Sequence, residues 1–62
     1  MATITMLHGA GYCVGGHEFY ALHFALSWCA ERGYMNAQLV NRRGRRLKWW
    51  SYDGMLDKWN SI

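Results

Sequence analysis

Residues 41–50 read Asn41-Arg42-Arg43-Gly44-Arg45-Arg46-Leu47-Lys48-Trp49-Trp50, and this stretch decides the fold that the sequence predicts. Five of the seven lysines and arginines fall within seven positions here, and paired tryptophans follow them. Together with residues 37–40, the stretch folds back on itself if Arg42, Arg43 and Gly44 form the loop. Such a loop is a type I turn followed by a residue in the left-handed region, which a glycine occupies without steric cost. We therefore predict a β-hairpin with a strongly basic tip.

The alternation of side chains predicts one register for this hairpin. With Asn41 opposite Arg45, one face is apolar and the other is basic and polar with Trp50 at its end. The pairs predicted on the apolar face are Leu39 with Leu47 and Ala37 with Trp49, and those on the polar face are Val40 with Arg46 and Gln38 with Lys48. Turn chemistry and binary pattern agree, so we expect the apolar face to join the core.

Length and composition predict one small domain over residues 1–62. A chain of 62 residues that is 52% hydrophobic and 18% charged can fold, but it has room for only one core. The formal charge is +3, and all four acidic residues lie outside the basic stretch. The local positive field is therefore stronger than the net charge suggests, which favours a partner with an anionic surface.

The cysteines and the N-terminus indicate a cytoplasmic protein. Cys13 and Cys29, sixteen positions apart, form no dense disulfide framework, and residues 1–7 lack the charged start and apolar run of a signal peptide. A reducing setting is therefore expected. No apolar stretch approaches membrane-spanning length, so no membrane partner is expected.

The N-terminal part of the chain predicts a strand followed by a glycine-rich turn. Residues 3–7 alternate and are rich in β-branched side chains, which predicts a strand with Ile4 and Met6 facing inward. Residues 8–16 contain four of the seven glycines and must turn. Whether Tyr12-Cys13-Val14 within this turn forms a second strand is left open.

The rest of the chain predicts one main helix and one short helix. Glu18 to Arg32 is the long helical pattern, with Gly33 placed to end it, and Asp53 can cap a short C-terminal helix. At helical spacing one apolar stripe should face the sheet: Phe19, Leu22, Leu26, Cys29 and Ala30. The predicted fold class is α+β, a small three- or four-stranded antiparallel sheet with one main helix packed across it and the short C-terminal helix.

The predicted helix has a second apolar stripe, formed by Tyr20, Phe24 and Trp28. It lies roughly opposite the first, and one small sheet cannot cover both. Either the terminal segment around residues 55–59 wraps over it and completes the core, or the stripe is a contact surface. A contact surface would serve as a homodimer seam or as a docking site on a larger protein.

The basic hairpin is the main candidate binding site. Four arginines around one glycine exceed what solubility requires, although a solvated loop tip is the simpler explanation. Arginine forks suit phosphates and carboxylates alike, and Trp50 or Tyr52 could stack on an unpaired base. The cationic members of the candidate site are Arg42, Arg43, Arg45, Arg46 and Lys48. A nucleic-acid backbone and an acidic patch on a protein are both compatible with this spacing.

Other motifs carry less weight. Gly9-x-Gly11-x3-Gly15 resembles a phosphate-cradling turn, but it matches neither the dinucleotide nor the P-loop spacing, so we interpret it as a structural turn. The potential metal ligands lack a paired knuckle, and the two on the helix, His23 and Cys29, point about 120° apart. No nucleophile, base and orienting group converge. We therefore predict no metal, no cofactor and no catalytic residue.

These observations predict a small non-enzymatic binding protein. It would dock on a larger protein or nucleoprotein complex with an acidic or phosphate-rich surface and modulate or inhibit that complex. The size of the chain is typical of viral-type regulators. The alternative is a domain that binds nucleic acid directly through the arginine-rich hairpin.

Overall fold

Six strands and one helix make up the chain, and the computed structural model describes residues 1–62. The elements are β1 Ala2–Met6, β2 Tyr12–Val14, β3 His17–Phe19, α1 Leu22–Glu31, β4 Asn36–Val40, β5 Arg46–Asp53 and β6 Lys58–Ser61. The α+β class is confirmed. The short C-terminal helix is wrong, and the sheet has more strands than predicted.

All six strands join one mixed sheet in the order β3-β2-β1-β4-β5-β6. Its central pair, β1 and β4, is parallel, with Ile4 opposite Leu39 and Thr5 opposite Val40. The other four neighbouring pairs are antiparallel. The purely antiparallel prediction is therefore wrong, because the chain leaves β1, forms β2 and β3, and returns through α1 to run alongside β1.

Tyr12-Cys13-Val14, which the sequence left open as a strand, forms β2 and pairs antiparallel with β1. The glycine pair that follows makes a further hairpin that the sequence did not predict. Gly15 and Gly16 have φ values of +58° and +81°, as a two-residue turn that matches the strand twist requires. This turn pairs Val14 with His17 and creates β3. The predicted helix start at Glu18 is wrong, because Glu18 belongs to β3 and its backbone pairs with β2.

The helix ends where the sequence predicts. Gly33 has a φ of +84°, the Tyr34 N–H donates to the Cys29 carbonyl at 3.1 Å and the Gly33 N–H donates to the Ala30 carbonyl at 3.0 Å. This is a Schellman motif, in which a left-handed glycine satisfies the last carbonyls of a helix. The helix therefore spans ten residues rather than the fifteen between Glu18 and Arg32.

The tip of the basic hairpin has the predicted turn. The Gly44 N–H donates to the Asn41 carbonyl and the Asn41 N–H donates to the Arg45 carbonyl, both at 2.9 Å. The Asn41 side-chain Oδ1 also accepts the N–H groups of Arg43 and Arg45, at 2.9 and 3.0 Å. Gly44 has a φ of +85°, the left-handed conformation that favours glycine. The loop is thus held by both backbone and side chain.

Below the tip, the predicted register is wrong. Val40 pairs with Arg46 as expected, but a bulge follows and Leu39 pairs with Lys48. The extra residue, Leu47, has no partner in the ladder, and a shift of one residue moves every later side chain to the opposite face. Ala37 therefore pairs with Trp50 rather than Trp49, and Trp50 enters the core while Leu47 is 50% exposed.

Asp53 caps a turn rather than a helix. Its Oδ1 accepts the N–H groups of Met55 and Leu56, at 3.0 and 3.2 Å, so the predicted capping role is right. The chain then turns through Asp57, which has a φ of +52°, and returns as β6 along β5. Pairing with β5 is favoured over the predicted helix, because it buries part of Trp59 against the core.

The core lies between α1 and one face of the sheet. Trp59 also donates from its indole N–H to the Leu26 carbonyl at 2.9 Å, which attaches β6 to the helix. The opposite face of the sheet carries no helix. No helix in the structure is both long enough and apolar enough to cross a bilayer. The buried core residues are Ala2, Ile4, Val14, Ala25, Leu26, Cys29, Ala37, Leu39 and Trp50.

Candidate functional site

The parallel pairing of β1 and β4 brings two loops to one edge of the sheet. Parallel strands have their carboxyl ends at the same edge, and Thr5 lies opposite Val40. The chain therefore leaves β1 into the loop Leu7–Gly11 beside the point where it leaves β4 into the hairpin tip Asn41–Arg45. The Leu7 N–H donates to the Gly11 carbonyl at 3.1 Å and closes the first loop.

A hydrogen bond joins these loops. The Arg42 Nη1 donates to the His8 Nδ1 at 2.8 Å, and both side chains are exposed. A guanidinium group has no acceptor, so the Nδ1 must supply the lone pair. In the neutral ring the proton then sits on the Nε2, which is a hydrogen-bond donor.

Between the two loops lies an open groove of about 350 Å³. Sequence reasoning placed arginines at this tip but did not predict that the glycine-rich loop would lie beside them. We call this feature the cationic groove. Its lining residues are Met6, Leu7, His8, Gly9, Asn41, Arg42 and Arg43.

The other cations of the hairpin point in different directions. The Arg46 guanidinium lies over the Trp49 ring, 4.7 Å from its centroid, on the uncovered face of the sheet. The Lys48 Nζ lies 5.7 Å from the centroid of Trp50, on the helix side. Arg45 is exposed at the tip. The five predicted cations therefore share one hairpin, but only Arg42 and Arg43 line the groove.

Of the two aromatic residues predicted to stack on bases, Trp50 is buried and Tyr52 is engaged by Asp57 and Trp59. Trp50 is only 5% exposed because the bulge turns it into the core, so this part of the predicted site is wrong. The Tyr52 hydroxyl donates to the Asp57 carboxylate, and the Tyr52 ring lies 5.0 Å from the ring of Trp59. The hydrogen bond to Asp57 stabilises the neutral phenol and raises the pKa of Tyr52.

Two residues of the predicted second stripe are exposed, and the third is half-buried. Tyr20 precedes the helix and is 93% exposed, and Phe24 on the helix is 52% exposed. Trp28 is half-buried against the β2–β3 hairpin, with its ring 5.3 Å from His17 and 6.3 Å from Phe19. The stripe therefore leaves two exposed rings rather than three.

The terminal segment does not cover these rings. Met55 and Leu56 are exposed in the turn before β6, so the alternative in which they wrap over the second stripe is wrong. Strand pairing holds residues 58–61 along β5, and Trp59 packs against the core from there. The exposed rings of Tyr20 and Phe24 remain available for a partner.

A second cavity, of about 330 Å³, lies between the helix and the β5–β6 hairpin. Sequence reasoning missed it, because it depends on β6, which the sequence pattern presented as a helix. Its polar groups are already engaged in part, since Tyr52 donates to Asp57 at this place. It is lined by Ser27, Ala30, Glu31, Tyr52, Asp57 and Trp59.

The candidate metal ligands and nucleophiles do not converge. No three of the histidine, cysteine, aspartate and glutamate side chains are grouped so that they could hold one ion. Cys13 pairs with Thr5 on the face of β1 that points away from the core, whereas Cys29 is buried in the core, and both are free thiols. Burial raises the pKa of the Cys29 thiol, because a thiolate there would lose solvation.

No protein-family model, curated protein or solved structure matches this chain. The two loops of the cationic groove and the two exposed rings are therefore the features of this chain that bear on function.

Proposed function

We propose that this chain is a non-enzymatic binding protein that docks on a larger protein or nucleoprotein complex and modulates or inhibits it. The observation that supports this most is the cationic groove, where Arg42 and Arg43 stand beside a second loop at one edge of the sheet. Guanidinium groups bind carboxylates and phosphates through paired hydrogen bonds. The partner surface would therefore be acidic or rich in phosphate.

The rigidity of the tip supports a docking role. Asn41 holds the loop through its backbone and through two side-chain hydrogen bonds, so the arginines project from an ordered turn. An ordered loop loses less conformational entropy on binding than a flexible one, which leaves more of the contact free energy for affinity. A flexible, merely solubilising charge run has no need of such a turn.

The exposed rings of Tyr20 and Phe24 would supply a second contact. Large aromatic side chains dominate the hot spots of protein interfaces because they bury much apolar area with few rotatable bonds. Alternatively, a second copy of this chain would cover the same rings and form a homodimer. Sedimentation equilibrium separates the two, since a Tyr20→Ala/Phe24→Ala variant would shift the mass of a homodimer but leave that of a monomer unchanged.

Direct binding of nucleic acid is the second candidate. It is favoured by the exposed guanidinium groups, of which Arg42 and Arg46 contact a histidine and an indole rather than carboxylates. Because Trp50 is buried, such binding would use the phosphate backbone without base stacking on that ring. Its affinity would fall with salt by up to about 0.9 log units per log unit of salt for each phosphate neutralised.

Co-purification tests the proposal. We expect tagged wild-type protein to retain its partner from the native cell. The quadruple variant with Arg42, Arg43, Arg45 and Arg46 changed to alanine should fold but lose the partner, because its side chains lie outside the core. Arg32→Ala/Lys58→Ala removes charge elsewhere and should retain it.

A nuclease arm separates the two candidates. Retention of the partner after nuclease treatment supports docking on protein, whereas loss supports nucleic acid as the bridge. A folded quadruple variant that retains the partner as well as the wild type does would refute the hairpin as the docking site.

A further inference from the structure

We propose that the cationic groove is a binding site for one phosphate group, supplied by a nucleic-acid backbone. This inference rests on the proposed function in the case where the partner surface is nucleic acid, and it names the chemical group that the hairpin recognises. Arg42 and Arg43 would provide the charge, and the loop Leu7–Gly11 would provide further hydrogen-bond donors. It also gives a role to the glycine-rich segment, which by its sequence spacing alone predicts only a structural turn.

The donors around the groove outnumber what a carboxylate can use. Arg42 has N–H groups left after its bond to His8, and Arg43 is exposed beside it. Because the His8 Nδ1 accepts from Arg42, the His8 Nε2–H is a further donor in the neutral ring. A backbone phosphodiester carries two charged and two ester oxygens in a tetrahedral arrangement, so donors from both walls of the groove can reach it, whereas the two oxygens of a carboxylate lie in one plane.

The backbone of the first loop adds to this set. Its single backbone hydrogen bond runs from the Leu7 N–H to the Gly11 carbonyl, which leaves the N–H groups of residues 8–10 without a backbone partner. Gly9 has a φ of +92°, and no atom lies within 4 Å of the place where a side chain would start. Gly9 also lines the groove, so no side chain blocks a phosphate there and the unpartnered N–H groups of the loop are donors that it can use.

The charges at the groove favour an anion. None of its lining residues is acidic. The only side-chain bond that joins its two walls runs from a guanidinium to an imidazole, so the positive charge of Arg42 is not neutralised by that contact. An entering phosphate would meet two guanidinium groups with no carboxylate to repel it.

Nucleic acid is the source that the rest of the hairpin favours. Arg45 is exposed beyond the groove and Arg46 lies on the next strand, so a polyanion that seats one phosphate in the groove can bring neighbouring phosphates to them. A free phosphate cannot use these residues. The bound strand would be held by its backbone, since the ring of Trp50 is buried.

Two double variants with the same loss of charge distinguish specific phosphate binding in the groove from non-specific electrostatic attraction to the hairpin. Arg42→Ala/Arg43→Ala removes the arginines that line the groove, and Arg45→Ala/Arg46→Ala removes two that do not. Inorganic phosphate is titrated into each protein at constant ionic strength set with sodium chloride, while ¹H–¹⁵N spectra follow the amides of residues 8–10 and 41–43. The spectra also report whether each variant is folded.

We expect saturable shifts in the wild type and a loss of affinity of about tenfold or more in the groove variant, because charge-assisted hydrogen bonds are removed. The tip variant should stay within about twofold of the wild type, since only general attraction is weakened. If the groove variant does not fold, Arg42→Lys/Arg43→Lys keeps the charge and removes the forks, and it should also lose affinity. Equal losses in the two alanine variants, or no saturable shift in the wild type, would overturn the phosphate site.

Binding of a short oligothymidylate and of a polyglutamate peptide tests whether the anion that the groove binds comes from nucleic acid or from an acidic protein. The oligothymidylate should bind more tightly than inorganic phosphate and lose affinity in both double variants, whereas a tighter complex with polyglutamate would overturn the assignment to nucleic acid. A failure here is distinguishable from a failure of the proposed function. Loss of partner capture in the quadruple variant, without phosphate binding by the wild type, would refute the phosphate site and leave the docking hairpin in place.

Discussion

Gly15 and Gly16 are neighbours with similar backbone angles and different surroundings. Both have positive φ, so a side chain at either position is strained. A Cβ at Gly15 would also lie 2.5 Å from the Cη2 of Trp28, whereas a Cβ at Gly16 would meet no atom within 4 Å. The Trp28 ring is itself held by Phe19 and by the Arg32 guanidinium, whose Cζ lies 4.7 Å from the ring centroid.

This difference predicts unequal costs for the same substitution. Gly16→Ala should destabilise by about 1 kcal/mol through backbone strain alone. Gly15→Ala should cost about 1 to 3 kcal/mol more, because the Trp28 ring must move. Urea unfolding of the two variants measures the difference. Equal losses would show that Trp28 yields freely and that the β2–β3 hairpin does not depend on it.

Single-residue turn chemistry was the part of the fold that could be predicted best. Gly33 ends the helix and Gly44 completes the hairpin turn, both as expected. Asp53 also caps the segment that follows it, but that segment is a turn rather than the predicted helix. Each depends on hydrogen bonds within a few residues, which the local sequence specifies. Gly15-Gly16 is also a local turn signal, but the helical spacing of the residues from Glu18 onward favoured a helix over the hairpin that these glycines form.

At the scale of elements, the bulge in the basic hairpin decides which side chains reach the core. The turn residues set the pairing of Val40 with Arg46, and Leu47 is then left out of the ladder. Trp50 fills the space opposite Ala37, and the bulge removes Leu47 from the apolar face. Burial of the larger Trp50 side chain is consistent with this register.

The bulge predicts unequal losses of stability for two substitutions in β5. Trp50→Ala should destabilise the protein by about 3 to 5 kcal/mol, because it leaves a cavity in a small core. Leu47→Ala should cost less than about 1 kcal/mol, since half of that side chain is already exposed. Thermal melts followed by circular dichroism compare them. A larger loss of stability for Leu47→Ala than for Trp50→Ala would contradict the bulge and support the regular register.

Short strands were the elements that the sequence could not reveal. β3 has three residues and β6 has four, too few for an alternating pattern to be distinguished from helical spacing. Trp59 fitted a helical stripe equally well, and only its packing under the helix, with the indole N–H bonded to the Leu26 carbonyl, selects the strand. Tertiary contacts overrode local propensity at both edges of the sheet.

At the scale of the whole molecule, the parallel pairing of β1 with β4 assembles the candidate site. The arginines were predicted from their density, but their neighbours were not. Nothing in the local pattern of residues 2–6 specifies whether that strand pairs with β4, or in which direction. The contact between His8 and Arg42, thirty-four positions apart, follows from that pairing alone.

The central claim is that this parallel pair brings the loop Leu7–Gly11 against the arginine hairpin. Nuclear Overhauser effects in isotope-labelled protein test it most directly. We predict cross-strand effects in the parallel register, with Ile4 facing Leu39 and Thr5 facing Val40, together with an effect between the His8 ring and the Arg42 side chain. An antiparallel pattern between these strands, or a β1 that pairs elsewhere and leaves His8 away from Arg42, would contradict the account.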